Sequence, residues 1–203
     1  MSKRLIDFIL ASIGIIILSP VLVLVAITVR YCLGSPILYL QRRPGLNEKA
    51  FTLVKFRTMR EVSDLNDIPL PDAHRLTKVG KFLRSWSLDE LPELWNVARG
   101  EMSLVGPRPL LMQYLPLYTC EQRRRHQIRP GLTGWAQING RNSLDWEERF
   151  QMDVWYVDNR SFFLDLRILF LTFRKIIIRD GISARGNVTM PPFQGARDTE
   201  SRR

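Results

Sequence analysis

The longest apolar run comes first: from Phe8 to Val29 the chain carries no charged residue. That length approaches the about 20 residues a helix needs to cross a hydrocarbon core. A cleaved signal peptide would have a shorter apolar region and a small-x-small cleavage site, and no such site precedes the body. Two features weigh against simple spanning. Lys3 and Arg4 precede the run, and Arg30, Arg42 and Arg43 follow it, so the preference of cations for the cytoplasmic side draws both ends to one face. Ser19-Pro20 lies near the midpoint. Proline removes a backbone donor and clashes with the preceding turn, while the serine hydroxyl can satisfy a freed carbonyl. A helix that enters, bends at Ser19-Pro20 and returns accommodates both facts; so does a kinked spanning helix. Residues 1–34 are a membrane element on either reading.

The next pattern is shorter and mixed. Ile37 to Gln41 reads as a strand, Arg43-Pro44-Gly45 as a turn, and Phe51 to Met59 as a β-branched and aromatic strand. Alternation puts Lys55 and Arg57 on one face of it, where two cations can converge on a phosphate or simply face solvent. Glu61 to Arg75, with Pro69 and Pro71, reads as loop; Leu83 to Val97 reads as helix. Gly106-Pro107-Arg108-Pro109 is a rigid loop, Tyr118 to Ile128 a charged helix, and Gly134 to Ile138 a strand between turn signals.

Helical spacing is clear near the end. Trp146, Phe150, Val154 and Val157 share one face, and Phe163, Leu166, Phe170, Phe173 and Ile177 repeat the spacing. Asp165, Arg167, Arg174, Lys175 and Arg179 interrupt the second segment, so it does not span. It is either an amphipathic helix in the bilayer interface or a core-facing one. Beyond Gly186 the chain is polar. The pattern is that of a mixed α/β protein: membrane helix at 1–34, compact body with interfacial helices at 35–185, disordered polar tail at 186–203.

Charge narrows the partners. Thirty Lys and Arg against 20 Asp and Glu give a formal charge of +10, which favours anionic partners such as nucleic acid, acidic headgroups or phosphorylated substrates. No nucleic-acid recognition module is evident in the pattern. Cys32 and Cys120 lack disulfide or zinc spacing, and a histidine metal site is not expected of His74 and His126, which read as surface residues.

The run Ser87-Leu88-Asp89-Glu90-Leu91-Pro92-Glu93 carries the chemistry. Ser87 and Glu90 have capping-box spacing, but Pro92 fits a helix start better if Asp89 is the cap. Either way, two carboxylates sit where a helix N-terminus also favours a phosphate. They could serve as nucleophile and magnesium ligand, or merely as caps.

The chain resembles the bacterial sugar transferases, specifically the small monotopic phosphoglycosyl transferases. The runs that carry the likeness are Ser19-Pro20, Arg43-Pro44-Gly45, Lys55 to Met59, Ser87 to Leu91, Ser103 to Pro109, Arg129 to Gly134 and Asn139 to Asn142, in that order. The resemblance implies a re-entrant helix broken at Ser19 and Pro20. It implies that Asp89 attacks the β-phosphate of a UDP-sugar, releasing UMP, and that the phosphosugar passes to polyprenyl (undecaprenyl) phosphate. It further implies a requirement for Mg2+ with Glu90 as ligand, and phosphate or uridine binding by Arg108 and Arg141, then Lys55, Arg57 and Arg129. The runs Gly106 to Tyr118 and Gly134 to Asn142 are most similar to enzymes transferring phospho-N,N′-diacetylbacillosamine.

The expected setting is the bacterial inner membrane with the body facing the cytoplasm, downstream glycosyltransferases as partners, and no nucleic acid. Two competing readings are a membrane-anchored nucleic-acid binder and a catalytically silent scaffold. The intact Asp89-Glu90 pair argues against the scaffold.

Overall fold

The computed structural model describes residues 3–60, 72–140, 144–178 and 192–195. The apolar run forms α1 (Lys3–Leu33), a helix that continues through Pro20. The Ser19 hydroxyl donates to the Ile16 carbonyl at 2.7 Å, within the turn that proline disturbs. One stripe of α1 packs on the body: Asp7, Ala11, Val25 and Val29 are buried, with Gly14, Ile15, Leu18, Val21, Leu22 and Leu33 beside them. The opposite side, including Phe8, Ile13, Ile16, Ile17, Leu24 and Ile27, is apolar and exposed. The sequence hides this division because both faces are apolar.

Strands β1 (Leu38–Pro44) and β2 (Ala50–Phe56) form an antiparallel hairpin, Leu38 facing Phe56 and Pro44 facing Ala50. The turn follows Pro44, with Asn47 and Glu48 at positive φ. In β2, Phe51 and Leu53 are buried in the main core, and period-two alternation puts Lys55 on their side. The strand ends at Phe56, so the expected pairing of Lys55 with Arg57 on one face does not form: the two reach different partners.

The helix expected over Leu83 to Val97 is two helices. A short turn α2 (Asp72–Arg75) leads to α3 (Lys78–Ser85), capped by Thr77, whose hydroxyl accepts from Gly80 N–H at 2.9 Å. α4 (Glu93–Arg99) follows after a gap and ends at Gly100, whose φ of 83° closes the helix. Asn96, buried in α4, ties it to β2: it accepts from Val54 N–H at 3.1 Å and donates to the Thr52 carbonyl at 2.7 Å.

Then come β3 (Ser103–Val105), α5 (Cys120–Arg123), β4 (Gly131–Thr133), α6 (Trp135–Asn139), α7 (Trp146–Asn159) and α8 (Phe162–Ile178). β3 and β4 pair in parallel, Ser103 with Gly131 and Val105 with Thr133. Gly131 is needed there, since a Cβ would lie 2.0 Å from Gly106 N. Of Gly134 to Ile138, expected as a strand, Gly134 is extended and Trp135 to Ile138 are helical in α6. α5 is only the first part of the helix expected over Tyr118 to Ile128, which continues as a 3-10 turn. α7 and α8 match their periodicity, and Asp145 and Glu148 form a capping box at the start of α7.

The main core joins α1, β2, α4, β3, α7 and α8 through Ala11, Leu53, Leu94, Val97, Val105, Tyr156 and Ile168. One sequence expectation is corrected at the periphery. His126 is buried, not on the surface, with its Nε2 unpartnered and its pKa lowered to about 4, by burial first and then by Arg125. Of the segment expected as a tail, residues 192–195 are described, and there Phe193 is buried against Tyr114, Tyr118, Trp146 and Phe150.

Candidate active site

The acidic pair lies in the gap between α3 and α4. Ser87 is left-handed (φ 54°, ψ 25°), and Leu88–Glu90 makes one 3-10 turn closed by Glu90 N–H on the Ser87 carbonyl at 3.2 Å. Ser87 makes no side-chain cap, and α4 begins only at Glu93 behind Pro92. This corrects both helix-start alternatives: neither Ser87 nor Asp89 caps α4. A non-glycine residue held in left-handed geometry costs about 1–2 kcal/mol. The strained turn is what presents Asp89 and Glu90 ahead of the helix.

Cations converge on Glu90. Its Oε1 accepts from Lys55 Nζ at 2.9 Å and from Arg108 Nη2, and its Oε2 lies 3.4 Å from Arg108 Nη1. Lys55 Nζ also lies 2.9 Å from Oε1 of Glu93, a fully buried carboxyl in the first turn of α4. Lys55 thus sits between two carboxylates. Arg84, whose Nε donates to Thr58 Oγ1 at 3.0 Å, adds positive charge near Asp89.

These charges separate the three acids. Burial, and then the charge of Glu90, push Asp89 up to about 6, against the pull of Lys55, Arg84 and Arg108. Burial also opposes ionisation of Glu90, but Arg108 and then Lys55 outweigh it and hold this carboxyl well below the usual range. Burial raises Glu93 to about 7 despite Lys55. Glu90 is therefore the fixed anion of the site, and Asp89 a desolvated carboxylate that is largely ionised at neutral pH. A buried acid with a perturbed pKa beside a specific charge partner is what reactive carboxyls share.

The loop carrying Arg108 is held from outside. Pro107 and Pro109 have no N–H, so the loop cannot tie itself down. Its carbonyls take donors instead: Gly131 N–H on Pro107 at 3.0 Å, Arg125 Nη2 on Arg108 at 2.8 Å, and Arg43 Nη1 on Pro109 at 3.4 Å.

Of the basic residues singled out in the sequence, Lys55 and Arg108 meet the acidic pair. Arg57 does not: it is buried and donates to the carbonyls of Leu33 and Ser35, closing the C-terminal end of α1. Nor does Arg129, whose Nε donates to the Gly100 carbonyl at 2.8 Å, at the far end of α4. Arg141 lies outside the described residues. Glu93, Arg84, Arg125 and Asp153 carried no role in the sequence reading. Only Glu93 gave a signal, as a third acid within the run from Ser87.

Adjacent Asp89 and Glu90 offer carboxylate oxygens of the kind a magnesium ion takes together with waters and substrate phosphates, though Glu90 would have to exchange contacts with Lys55 or Arg108 to bind one. The pair is not a closed cage: among the described residues no group of three potential ligands is present.

An apolar helix laid on a mixed α/β body, with a buried and a half-buried acid side by side under cations, defines a protein whose site suits anionic ligands. Residues 1–179 match the bacterial sugar transferase family, and the chain belongs to it. It is 54% identical over 200 residues to the uncharacterized sugar transferase EpsL of Bacillus subtilis (strain 168), covering 98% of both chains. It is 39% identical to the exopolysaccharide production protein ExoY of Rhizobium meliloti, over 89% of this chain and 88% of that one. It is 41% identical to the UDP-glucose:undecaprenyl-phosphate glucose-1-phosphate transferase of Klebsiella pneumoniae, over 84% of this chain but 39% of that longer protein.

Proposed function

We propose that this sugar transferase moves a sugar 1-phosphate from a UDP-sugar to polyprenyl phosphate through a covalent intermediate on Asp89. The observation that carries the reading is the unequal treatment of two adjacent carboxyls: Glu90 clamped and ionised by Lys55 and Arg108, Asp89 buried with a raised pKa. An Asp89 oxygen attacks the β-phosphorus, the bond from that phosphorus to the bridging oxygen of UMP breaks, and UMP departs. An oxygen of the polyprenyl phosphate then attacks the same phosphorus and releases the Asp89 carboxylate. Arg108 and Lys55 supply positive charge beside the phosphate oxygens on which negative charge builds. A magnesium ion on Glu90 would add charge neutralisation of the same kind.

The lipid acceptor requires the site to sit at a bilayer. α1 is long and apolar enough to cross a membrane by length and composition. It also touches the body from Arg4 near its start to Leu33 at its end, through Arg4 on the Val97 and Ala98 carbonyls and Leu33 on Arg57. A helix of 31 residues is about 46 Å long. Contact at both ends leaves no room for a hydrocarbon slab between them. This supports a monotopic seat, with the exposed apolar side and an open concavity at Ser19, Pro20, Val23, Leu24 and Ile27 facing lipid; the helix runs unbroken through Pro20, so the break that a re-entrant path needs is not seen in it. α8, with Phe163, Phe170 and Phe173 exposed alongside Arg167 and Arg174, suits the interface. The cytoplasmic face of a bacterial inner membrane fits the flanking cations.

The sugar is the finer question. The run Gly106 to Tyr118 favours UDP-N,N′-diacetylbacillosamine or another UDP-N-acetylhexosamine, while the Klebsiella relative is named for glucose. Purified enzyme in nanodiscs, given undecaprenyl phosphate, Mg2+ and a panel of these UDP-sugars with UDP-galactose, should release UMP from one of them. With lipid omitted, a sugar-labelled substrate should leave label on Asp89. Turnover that demands both substrates bound together, with no labelled protein, overturns the covalent mechanism.

A further inference from the structure

Arg125 and Asp153 form a buried ion pair that touches neither acid of the dyad. Their side chains are 1% and 2% exposed, and Asp153 Oδ2 accepts from Nη2 at 2.6 Å and from Nε at 3.2 Å. Burying such a pair has a large desolvation cost, so it makes a poor stabiliser compared with packed apolar groups. Its geometry offers another use. Nη2 of the same guanidinium donates to the Arg108 carbonyl at 2.8 Å, and Nη1 lies 3.3 Å from the Tyr118 hydroxyl. Asp153 fixes the fork in the plane from which it can reach that carbonyl.

The guanidinium is also caged. It lies 5.9 Å from the Tyr118 ring centre and 5.5 Å from that of Phe150. Phe193, far along the chain, completes the aromatic shell: its ring is 5.0 Å from Phe150 in an edge-to-face contact and 5.9 Å from Tyr118. One path of contacts therefore runs from the C-terminal segment to the dyad: Phe193 to Tyr118 and Phe150, then Arg125, then the Arg108 backbone, then Glu90.

We infer that Arg125, oriented by Asp153, is the positioning residue for Arg108, and that Phe193 locks it by closing the aromatic cage. Pro107 and Pro109 offer no N–H to the body, Gly131 and Arg43 hold their carbonyls, and Arg125 takes the carbonyl of Arg108 itself, so the bidentate contact to Glu90 depends on where Arg125 pins the backbone. Losing the cage leaves the guanidinium free to tilt, and Arg108 slackens with it. The inference rests on the assignment of Arg108 to the reacting phosphates.

The test starts at Phe193, because its replacement leaves the main core intact. In the full chain in nanodiscs, Phe193→Ala should speed amide hydrogen exchange in the peptide Leu104 to Leu111 without changing that of α4. UMP release from the UDP-sugar panel should fall about tenfold or more in kcat, the scale of a small misplacement of a reacting group, with KM little altered. Phe193→Tyr should restore both readouts and Phe193→Leu, which fills the space without a π face, should not. Arg125→Lys should reproduce the effect. Unchanged exchange in Phe193→Ala, or full rescue by Phe193→Leu, overturns the inference. Faster exchange in a protein whose wild type releases no UMP supports the coupling and overturns the transferase reading.

Discussion

At the N-terminal end of α4, Lys55 and Arg108 reach carboxylates; at its C-terminal end, Arg4 and Arg129 reach main-chain carbonyls. The second arrangement is what a helix C-terminus asks for, since its last carbonyls lack partners and carry partial negative charge. The first arrangement is not asked for by the fold. Three carboxyls, two of them buried and Glu90 half-buried, gather there around shared cations, and the two buried ones have raised pKa values. The sequence presents all these basic residues alike. What separates site from scaffold is the acceptor each one finds: a cation that completes a helix end is spent, whereas one that faces a carboxylate in a partly open site can trade it for a substrate phosphate.

The largest effect should come from breaking the reactive end. Asp89→Asn keeps the shape and removes the nucleophile, so UMP release should fall by about a thousandfold or more, the low end of what losing a covalent nucleophile costs. No label should remain on the protein when lipid is withheld. Turnover at an undiminished rate would show that the dyad is an ion cluster and nothing more.

Next in size is Arg108→Lys. Lysine keeps the charge but cannot make the two-pronged contact with Glu90. We expect kcat/KM to drop about 10- to 100-fold, which corresponds to about 1.4–2.7 kcal/mol of lost transition-state stabilisation. The melting temperature should move little, because Arg108 is partly exposed. Loss of melting temperature without loss of rate would place Arg108 with the scaffold arginines.

The two ends also differ in titration. Asp89 has its folded pKa raised to about 6 from 3.8, so the folded state holds a proton that the unfolded state has lost. The stability this contributes is full below about 3.8 and is lost as pH rises through about 6. Activity should move the other way, rising through the same window as the carboxylate forms. Chemical denaturation of wild type and Asp89→Asn should diverge between these pH values, with the variant more stable by about 1–3 kcal/mol near pH 7. Glu93 contributes with the same sign as Asp89 and Glu90 with the opposite one, so the difference between the two proteins reports Asp89 together with its coupling to Glu90. Parallel stability profiles would mean that Asp89 titrates normally.

Some of this was legible in the sequence, for physical reasons that can be named. α7 shows itself because one face is buried and the other wet, and α1 because its run from Phe8 to Val29 has no charge at all. α1 conceals which side meets the body, since lipid and protein core ask for the same residues. The break between α3 and α4 was missed because a serine, with no glycine or asparagine signal, adopts the left-handed turn at Ser87. Gly134 to Ile138 is too short for its apolar spacing to choose between strand and helix. Asp89, Glu90, Lys55 and Arg108 came from local runs and do converge. Arg57 and Arg129 came from equally good runs and do not, because local sequence carries no information about which distant carbonyl a guanidinium will meet. Arg125 and Asp153, 28 positions apart, lay beyond any local pattern.

The smallest effect is expected at the scaffold end. Arg129→Ala removes one charged donor from the Gly100 carbonyl, while Arg4 stays on the neighbouring carbonyls of Val97 and Ala98. A single hydrogen bond of this kind is worth about 1 kcal/mol net, and water can take the vacated place on a partly exposed carbonyl. Stability should therefore fall by about that amount in denaturant titrations, and UMP release per folded molecule should stay at the wild-type value. α4 runs seven residues between Glu93 and Arg99, about 10 Å of helix. Glu90 is held from β2 and the Arg108 loop, and the main-chain bonds of Pro130 and Gly131 that support this loop do not use the Arg129 side chain. If Arg129→Ala instead lowers kcat as strongly as Arg108→Lys, the two ends of α4 act as one site, and sorting cations by acceptor fails for this protein.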